Sequence, residues 1–311
     1  MPTPVITVAM PFFNSAATLE LAIRSLLHQS YGDFELLLCD DGSDDHGVVI
    51  ARSFDDPRII AWRDGRRRRL AARLNECIDR ARGRYLARMD ADDISYPDRF
   101  AAQLAFLTSH PEVDLCGAGA LVFGKHGRPL WLYRPAAEHQ AIIRSPFRGF
   151  PMWHPVWMGH TEWFRRWRYR ESAWLAQDQE LLLRSYLGSH FANLPQTLLG
   201  YRKERVSLLK LYRYKLLHIR YVQSQPGGHL TPWTQLQLLL ISTARFAANC
   251  VSALTGTDRR IAHQAAQKPT AEELAEWRQL WILLSTWYGP SNETFLPSNL
   301  LESTSDNPGL P

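Results

Sequence analysis

The stretch that most constrains this chain is Arg88-Met89-Asp90-Ala91-Asp92-Asp93. Before it, Gly83-Arg84-Tyr85-Leu86-Ala87 reads as a short strand leaving a glycine turn. After it, Ile94-Ser95-Tyr96-Pro97-Asp98-Arg99 reads as a loop and a helix start. Three carboxylates therefore stand at the C-terminal lip of a strand, the edge where open α/β sheets bind ligands. Like charges crowded together cost free energy unless a cation lies between them. Hard divalent ions take carboxylate oxygens and substrate phosphates. A metal–diphosphate site is one reading, and an acidic turn capping the next helix is the other. A lone D-x-D does not decide between them.

The preceding residues repeat the pattern. Val5 to Met10 is an apolar run of strand length, with Pro11 ending it and Phe12-Phe13-Asn14-Ser15 forming a loop. Leu19, Ala22, Ile23, Leu26 and Leu27 come next at helical spacing. Phe34 to Cys39 is nearly all apolar, as a strand of a parallel sheet buried on both faces must be. It runs into Asp40-Asp41-Gly42-Ser43-Asp44-Asp45. A third strand is predicted over Arg58 to Trp62, and Leu70, Leu74, Cys77, Ile78 and Ala81 mark a helix closed by Gly83. Strand, helix, strand, strand, helix, strand begins a doubly wound sheet. Two acidic lips on adjacent strand ends, with the Pro11–Asn14 loop on a third, then share one edge, where one lip can receive a base and ribose and the other a metal.

In this order and spacing the pieces resemble a family 2 glycosyltransferase of the GT-A fold over residues 5 to 205: an α/β, Rossmann-like, mostly parallel sheet flanked by helices. The matching segments are Val8 to Asn14, Ser25 to Tyr31, Asp33 to Leu36 running into Asp40-Asp41-Gly42-Ser43, Leu70-Ala71-Ala72 with Leu74-Asn75, Ala81 to Tyr85, Asp90 to Asp93, and Pro97 to Phe100 with Gln103. The resemblance implies transfer of a sugar from a nucleotide diphosphate donor, UDP by family frequency, with inversion at the anomeric carbon. It also implies a divalent metal, Mn or Mg, and a glycan or lipid-linked acceptor. By position it puts Pro11, Phe13 and Asp41 in the nucleotide site, Asp41 facing the base. Asp90 goes on the ribose or base side and beside the metal, with Asp92 as the metal ligand. Asn75 goes near the pyrophosphate. Arg73 stands where the family has a small residue, and either reaches the diphosphate or is a solvated helix position.

Further on, Val113 to Phe123 reads as a strand whose small residues suit a backbone passing close to the donor sugar. His154-Pro155 resembles the His-Pro that comes after the donor site in the family. His154 either touches phosphate or metal, or is a hydrogen-bonded structural histidine. Trp153 and Trp157 either floor an acceptor sugar or pack in the core. Gln177-Asp178 resembles the family's Glu-Asp helix start, with Gln177 in place of Glu and Asp178 as general base. The alternative for Asp178 is a helix cap, and Glu180 is the runner-up base. Leu199-Gly200-Tyr201-Arg202 resembles the Tyr-Arg segment that ends the catalytic domain, where Arg202 would meet acceptor or phosphate.

Composition excludes little more. The chain has 311 residues, room for one large domain and an appendage. Its net charge of +5 is mild and suits an anionic small ligand or membrane surface. Arg66 to Arg69 lacks interleaved aromatics, so nucleic acid is disfavoured as a partner. Four scattered cysteines make neither a disulfide framework nor a zinc site. Met1-Pro2-Thr3-Pro4 shows no secretory pattern, and a cytoplasmic location is expected. Residues 206–288 are expected to form a helical C-terminal region and 289–311 a disordered tail. Within that region Leu208 to Val222 is a basic amphipathic segment. Pro232 to Leu254 is apolar but interrupted, with too short an uncharged run to span a bilayer. Residues 206–255 either touch the inner face of the cell membrane or pack on the catalytic domain. Two rival functions remain open: a sugar-1-phosphate nucleotidyltransferase, and a non-catalytic nucleotide-sugar or nucleic-acid binding protein.

Overall fold

A computed structural model describes residues 3–203 apart from 147, 148 and 174, isolated positions between 204 and 265, and residues 266–286. The amphipathic and apolar segments of 208–254 therefore lie largely outside the described residues, and the tail beyond 286 wholly so.

Four strands form the parallel centre: β1 (Ile6–Phe12), β2 (Phe34–Asp40), β3 (Ile59–Arg63) and β4 (Tyr85–Arg88). Their order is β3-β2-β1-β4, all parallel. Beyond β4 the sheet continues antiparallel through β8 (Met158–His160), β6 (Leu115–Phe123), β7 (Pro129–Tyr133) and the two-residue β10 (Ala266–Gln267). The short β5 (Ile94–Ser95) joins through β9 (Phe191–Arg202), which runs parallel to β6. β6 and β9 shift register around Gly119, where Pro195 and Gln196 are exposed. Proline cannot donate to the ladder, and such a bulge accommodates it.

Helices cover both faces because alternate strand residues point to opposite sides. Val8, Met10, Leu36 and Leu38 pack with α1 (Leu19–Leu27), α2 (Gly47–Ser53) and α4 (Arg99–Ser109). Ala9, Leu37, Cys39 and Leu86 pack with α3 (Arg69–Arg80), α6 (Thr161–Trp167) and α7 (Gln177–Ser185). The one-turn α5 (His139–Ile142) lies beside β9. The C-terminal helix α8 (Ala271–Thr286) buries Trp277, Leu280 and Leu284 against Tyr96, Leu121, Phe123 and Leu132. Its Trp277 indole N–H donates to the Gly127 carbonyl (2.6 Å).

The two acidic lips are not on neighbouring strands, as the sequence suggests: β1 lies between β2 and β4. The sheet winds from β1 outward to β2 and β3, then returns to the other side with β4. That reversal is a topological switch point, where open α/β sheets leave a crevice. β1 runs through Pro11 to Phe12, paired with Cys39 and Asp40, rather than ending at Pro11, and the Phe13–Asn14 turn emerges into the crevice with an acidic lip on either side. The small residues of β6 have a different role from the one their composition suggests. A Cβ on Gly117 would meet Asn193 Oδ1 at 2.2 Å, and one on Gly119 the Gln196 carbonyl at 2.9 Å. Glycine here lets β9 approach, rather than a sugar.

Candidate active site

Asp90, Asp92 and Asp93 converge on the β4 side, each offering a carboxylate oxygen within 4.8 Å of the others. Asp93 is buried. Its Oδ1 accepts the Arg202 main-chain N–H (2.8 Å), and its Oδ2 has no partner among the described residues. Burial first, then the charges of Asp92 and Asp90, push its carboxyl well above the usual carboxylate range. An orphaned buried oxygen beside two further carboxylates is a donor set that suits a hard divalent cation. Arg202 braces the turn again, its Nε donating to the Asp92 carbonyl (2.7 Å). Gln29 braces the segment after the turn. Its side chain donates to Ser95 Oγ (3.1 Å) and the Tyr96 carbonyl (2.7 Å) and accepts the Phe100 N–H (3.0 Å).

The β1 and β2 loops are tied together on the other side. Asn14, at φ 49°, receives the Asp44 N–H on its side-chain oxygen (3.1 Å) and donates its own N–H to Ser43 Oγ (3.0 Å). Gly42 has φ +77°, and a Cβ there would lie 3.0 Å from the Arg66 carbonyl carbon. Only glycine meets both demands at low cost. Phe13 is half-buried, with the Arg67 guanidinium 3.4 Å from its ring centroid.

Asp178 is the second residue of α7, whose N-cap position is Ala176, so the N-cap alternative does not describe it. Burial raises its carboxyl above the ordinary aspartate range, against the opposing effects of Gln179 and Arg88. The neighbouring Tyr169 hydroxyl feels the charges of Arg88, Asp178 and Asp90. Asp178 and Asp90 thus both lie within electrostatic reach of Tyr169 and Arg88. Glu180 is fully buried and ion-paired to Arg184 (3.1 Å) and Arg170 (3.2 Å), so it is committed to structure.

The comparisons with known proteins decide the family. A sequence model described as Glycosyl transferase family 2 matches residues 7–180. The chain belongs to glycosyl transferase family 2. EpsE of Bacillus subtilis is 36% identical over 165 residues, 52% of this chain and 58% of EpsE. The amylovoran biosynthesis glycosyltransferase AmsE of Erwinia amylovora is 30% identical over 217 residues, 64% of this chain and 80% of AmsE. WfgD of Escherichia coli, a UDP-Glc:alpha-D-GlcNAc-diphosphoundecaprenol beta-1,3-glucosyltransferase, is 31% identical over 102 residues, 33% of this chain and 40% of WfgD. The matches thus span less than two thirds of EpsE and of WfgD. The fold is that of S. aureus TarS 1-349 in complex with UDP-GlcNAc (TM-score 0.56, 17% identity, 90% of this chain, 81% of that one). It is equally that of the mannosyltransferase PcManGT from Pyrobaculum calidifontis in complex with GDP-Man and Mn2+ (TM-score 0.57, 15% identity, 92% and 87%). The GT-A architecture expected from the sequence is the one observed.

In this family 2 chain several residues singled out in the sequence are engaged by the protein itself. Asn75 donates to the Tyr169 carbonyl (2.9 Å) and accepts the Tyr169 N–H (3.0 Å). His154 shares a 2.7 Å hydrogen bond between Nε2 and the Tyr169 hydroxyl. Burial and the Arg88 charge keep its ring neutral, well below the usual histidine range. The structural alternative therefore describes His154. Trp157 is 0% exposed and lies edge-on to His154. It is a core residue and offers no face to an acceptor. Trp153 is half-buried, stacked on Tyr133 (centroids 4.1 Å apart) and against Tyr201. Tyr201 in turn feels the charges of Asp93, Asp90 and Asp92, so this aromatic wall adjoins the acidic turn.

Arg73 is neither solvated nor placed at a phosphate. It is 0% exposed, and its guanidinium binds Asp41 (3.0 Å), Asp64 (2.6 Å), Glu76 (2.9 Å) and the Arg66 carbonyl. Burial opposes its charge, but hydrogen bonds to Asp64, Glu76 and Asp41 outweigh it and raise its pKa. Asp41 also accepts the main-chain N–H groups of Arg68 (2.7 Å) and Arg69 (3.0 Å). The β2 lip and the 64–69 loop are thereby locked to α3. Removing one partner of a buried ion pair leaves an uncompensated charge. Arg73→Ala is therefore expected to lower the unfolding free energy by about 3 kcal/mol, read as a reduced urea midpoint. A midpoint equal to that of the unmodified protein contradicts the hub.

Proposed function

We propose that this chain is a metal-dependent, inverting glycosyltransferase that moves a sugar from a UDP-linked donor to a hydroxyl of a glycan or lipid-linked acceptor. What supports this reading most is the carboxylate cluster of Asp90, Asp92 and Asp93 at the switch point, with Asp178 and Asp90 both within electrostatic reach of Arg88 and Tyr169. Inversion needs a single displacement, hence one base on the acceptor side and no protein nucleophile. Asp178 receives the acceptor proton, and burial makes it a stronger base than a solvated aspartate. Asp90 and Asp92 would hold the metal, with Asp93 beside them. A divalent ion there offsets the charge that grows on the leaving nucleoside diphosphate. Phe13 offers a flat face to the base, and Trp153 with Tyr201 forms the wall available to an acceptor sugar.

One relative's name supports the same substrates. WfgD is named for a UDP-linked donor and a lipid diphosphate acceptor. PcManGT carries GDP-Man and Mn2+, which keeps GDP in the comparison. The nucleotidyltransferase alternative wants a glycine-rich loop after β1, and Pro11-Phe12-Phe13-Asn14 is not one. A thermal-shift screen of UDP-, GDP- and dTDP-sugars with Mn2+ tests the donor. A ligand that binds only the folded state stabilises it by mass action, so UDP-sugars are expected to raise the midpoint most. A response to GDP- or dTDP-sugars alone overturns the UDP assignment, and no response to any of them overturns the nucleotide-sugar reading.

A further inference from the structure

Arg88 has no part in the transfer step above, yet it lies at the centre of its residues. It is 2% exposed. Its N–H donates to the Trp157 carbonyl (2.8 Å), and its own carbonyl accepts Arg99 Nη2 (2.7 Å). Its Nη2 is paired with Asp90, whereas Nε and Nη1 have no partner among the described residues. Arg73, equally buried, shows the contrast: its three guanidinium nitrogens are all bonded. A guanidinium kept only to hold a core together has no reason to leave two donors unmet, since each unmet buried donor is destabilising. The same charge acts on Asp90, Tyr169 and Asp93, and on Asp178. One buried cation therefore pairs with a metal-site carboxylate and acts at longer range on the base.

We propose that Arg88 is a positioning residue, the counter-ion of Asp90 until a divalent metal takes that carboxylate, after which its spare donors serve the Asp178 side of the pocket. The inference rests on the metal-dependent reading above. Asp90 cannot give its charge fully to both cations, so the guanidinium competes with the metal. Once displaced, its charge still reaches Asp178 and Tyr169 and favours the ionised base at the moment the metal is bound.

The test is Mn2+ binding followed by electron paramagnetic resonance on the full-length protein, Arg88→Gln and Arg88→Lys, with steady-state kinetics alongside. Removing the competing charge is expected to tighten Mn2+ binding in Arg88→Gln by roughly five- to tenfold. Turnover should fall by about tenfold or more while the donor KM stays nearly constant. Arg88→Lys keeps the charge and is expected to bind Mn2+ like the unmodified protein. A residue needed only for packing would not make metal binding tighter and turnover slower together. Mn2+ affinity in Arg88→Gln equal to or weaker than that of the unmodified protein overturns the proposal. If Arg88→Gln does not fold, a clear change of Mn2+ affinity in Arg88→Lys overturns it, and unchanged affinity supports it. Failure of the unmodified protein to bind Mn2+ with or without UDP brings down the metal reading itself, a different outcome from equal binding by protein and variant.

Discussion

Asp92→Ala is expected to abolish turnover and to remove Mn2+-dependent nucleotide binding. Three carboxylates have oxygens within 4.8 Å of one another, and such crowding favours a cation or a proton in their midst. Asp90 is already paired with Arg88, and Asp93 accepts the Arg202 N–H. Asp93 is also pushed upward by burial and its neighbours, and so holds its proton more firmly than an ordinary aspartate. Asp92, half-buried, is the position that the family resemblance gives to the metal ligand, so its loss is expected to leave the site without its cation. A donor diphosphate would then face Asp90 and Asp93 with no bridging charge. Because the Asp92 main chain stays bound to Arg202, the fold should survive, which circular dichroism checks. Calorimetric titration of UDP with and without Mn2+ reads the loss. Undiminished activity in this variant, or in excess chelator, contradicts the assignment.

Asp178→Asn is expected to lower turnover by about 100- to 10,000-fold with donor affinity nearly unchanged. Asparagine keeps the shape and the place in α7 but cannot accept the acceptor proton. The pH dependence carries a separate sign. The reaction needs the ionised carboxylate, and burial raises the Asp178 pKa. Turnover should therefore fall as pH drops through a value above the ordinary aspartate pKa of about 3.9. That acid limb should vanish from the residual rate of Asp178→Asn. A loss of nucleotide binding as large as the loss of rate would instead assign Asp178 to the metal side. Glu180 is not a ready substitute, since Arg170 and Arg184 already neutralise it in the core.

The parts of this site written in contiguous residues are legible in the sequence. The acidic turn after β4, the lip after β2 and the loop after β1 each come after an apolar run, and a parallel sheet puts such ends on one edge. Features that depend on distant convergence are not legible. The Arg73 hub joins residues 41, 64 and 76, and only Glu76, three positions along the same helix, could signal it. Trp153 and Trp157 look alike in the sequence, and only tertiary burial separates a half-exposed ring from a core one. Helix α2 escapes a sequence reading because Val48-Val49-Ile50 is a β-branched run behind an acidic loop, which hides the helical period. Of the strands beyond β4 only β6 is legible, since Pro195 interrupts β9 and β7 is short. Arg88 stands beside the motif without a signal of its own, because its meaning lies in its burial and its unmet donors.

Incubation of the full-length protein with a panel of nucleotide sugars and Mn2+ tests the central claim most directly, with and without chelator and with phosphate products separated. Release of nucleoside diphosphate from a UDP-sugar is expected, with no pyrophosphate and with loss of the signal on chelation. Pyrophosphate release, or nucleoside diphosphate release indifferent to chelator, would contradict the claim.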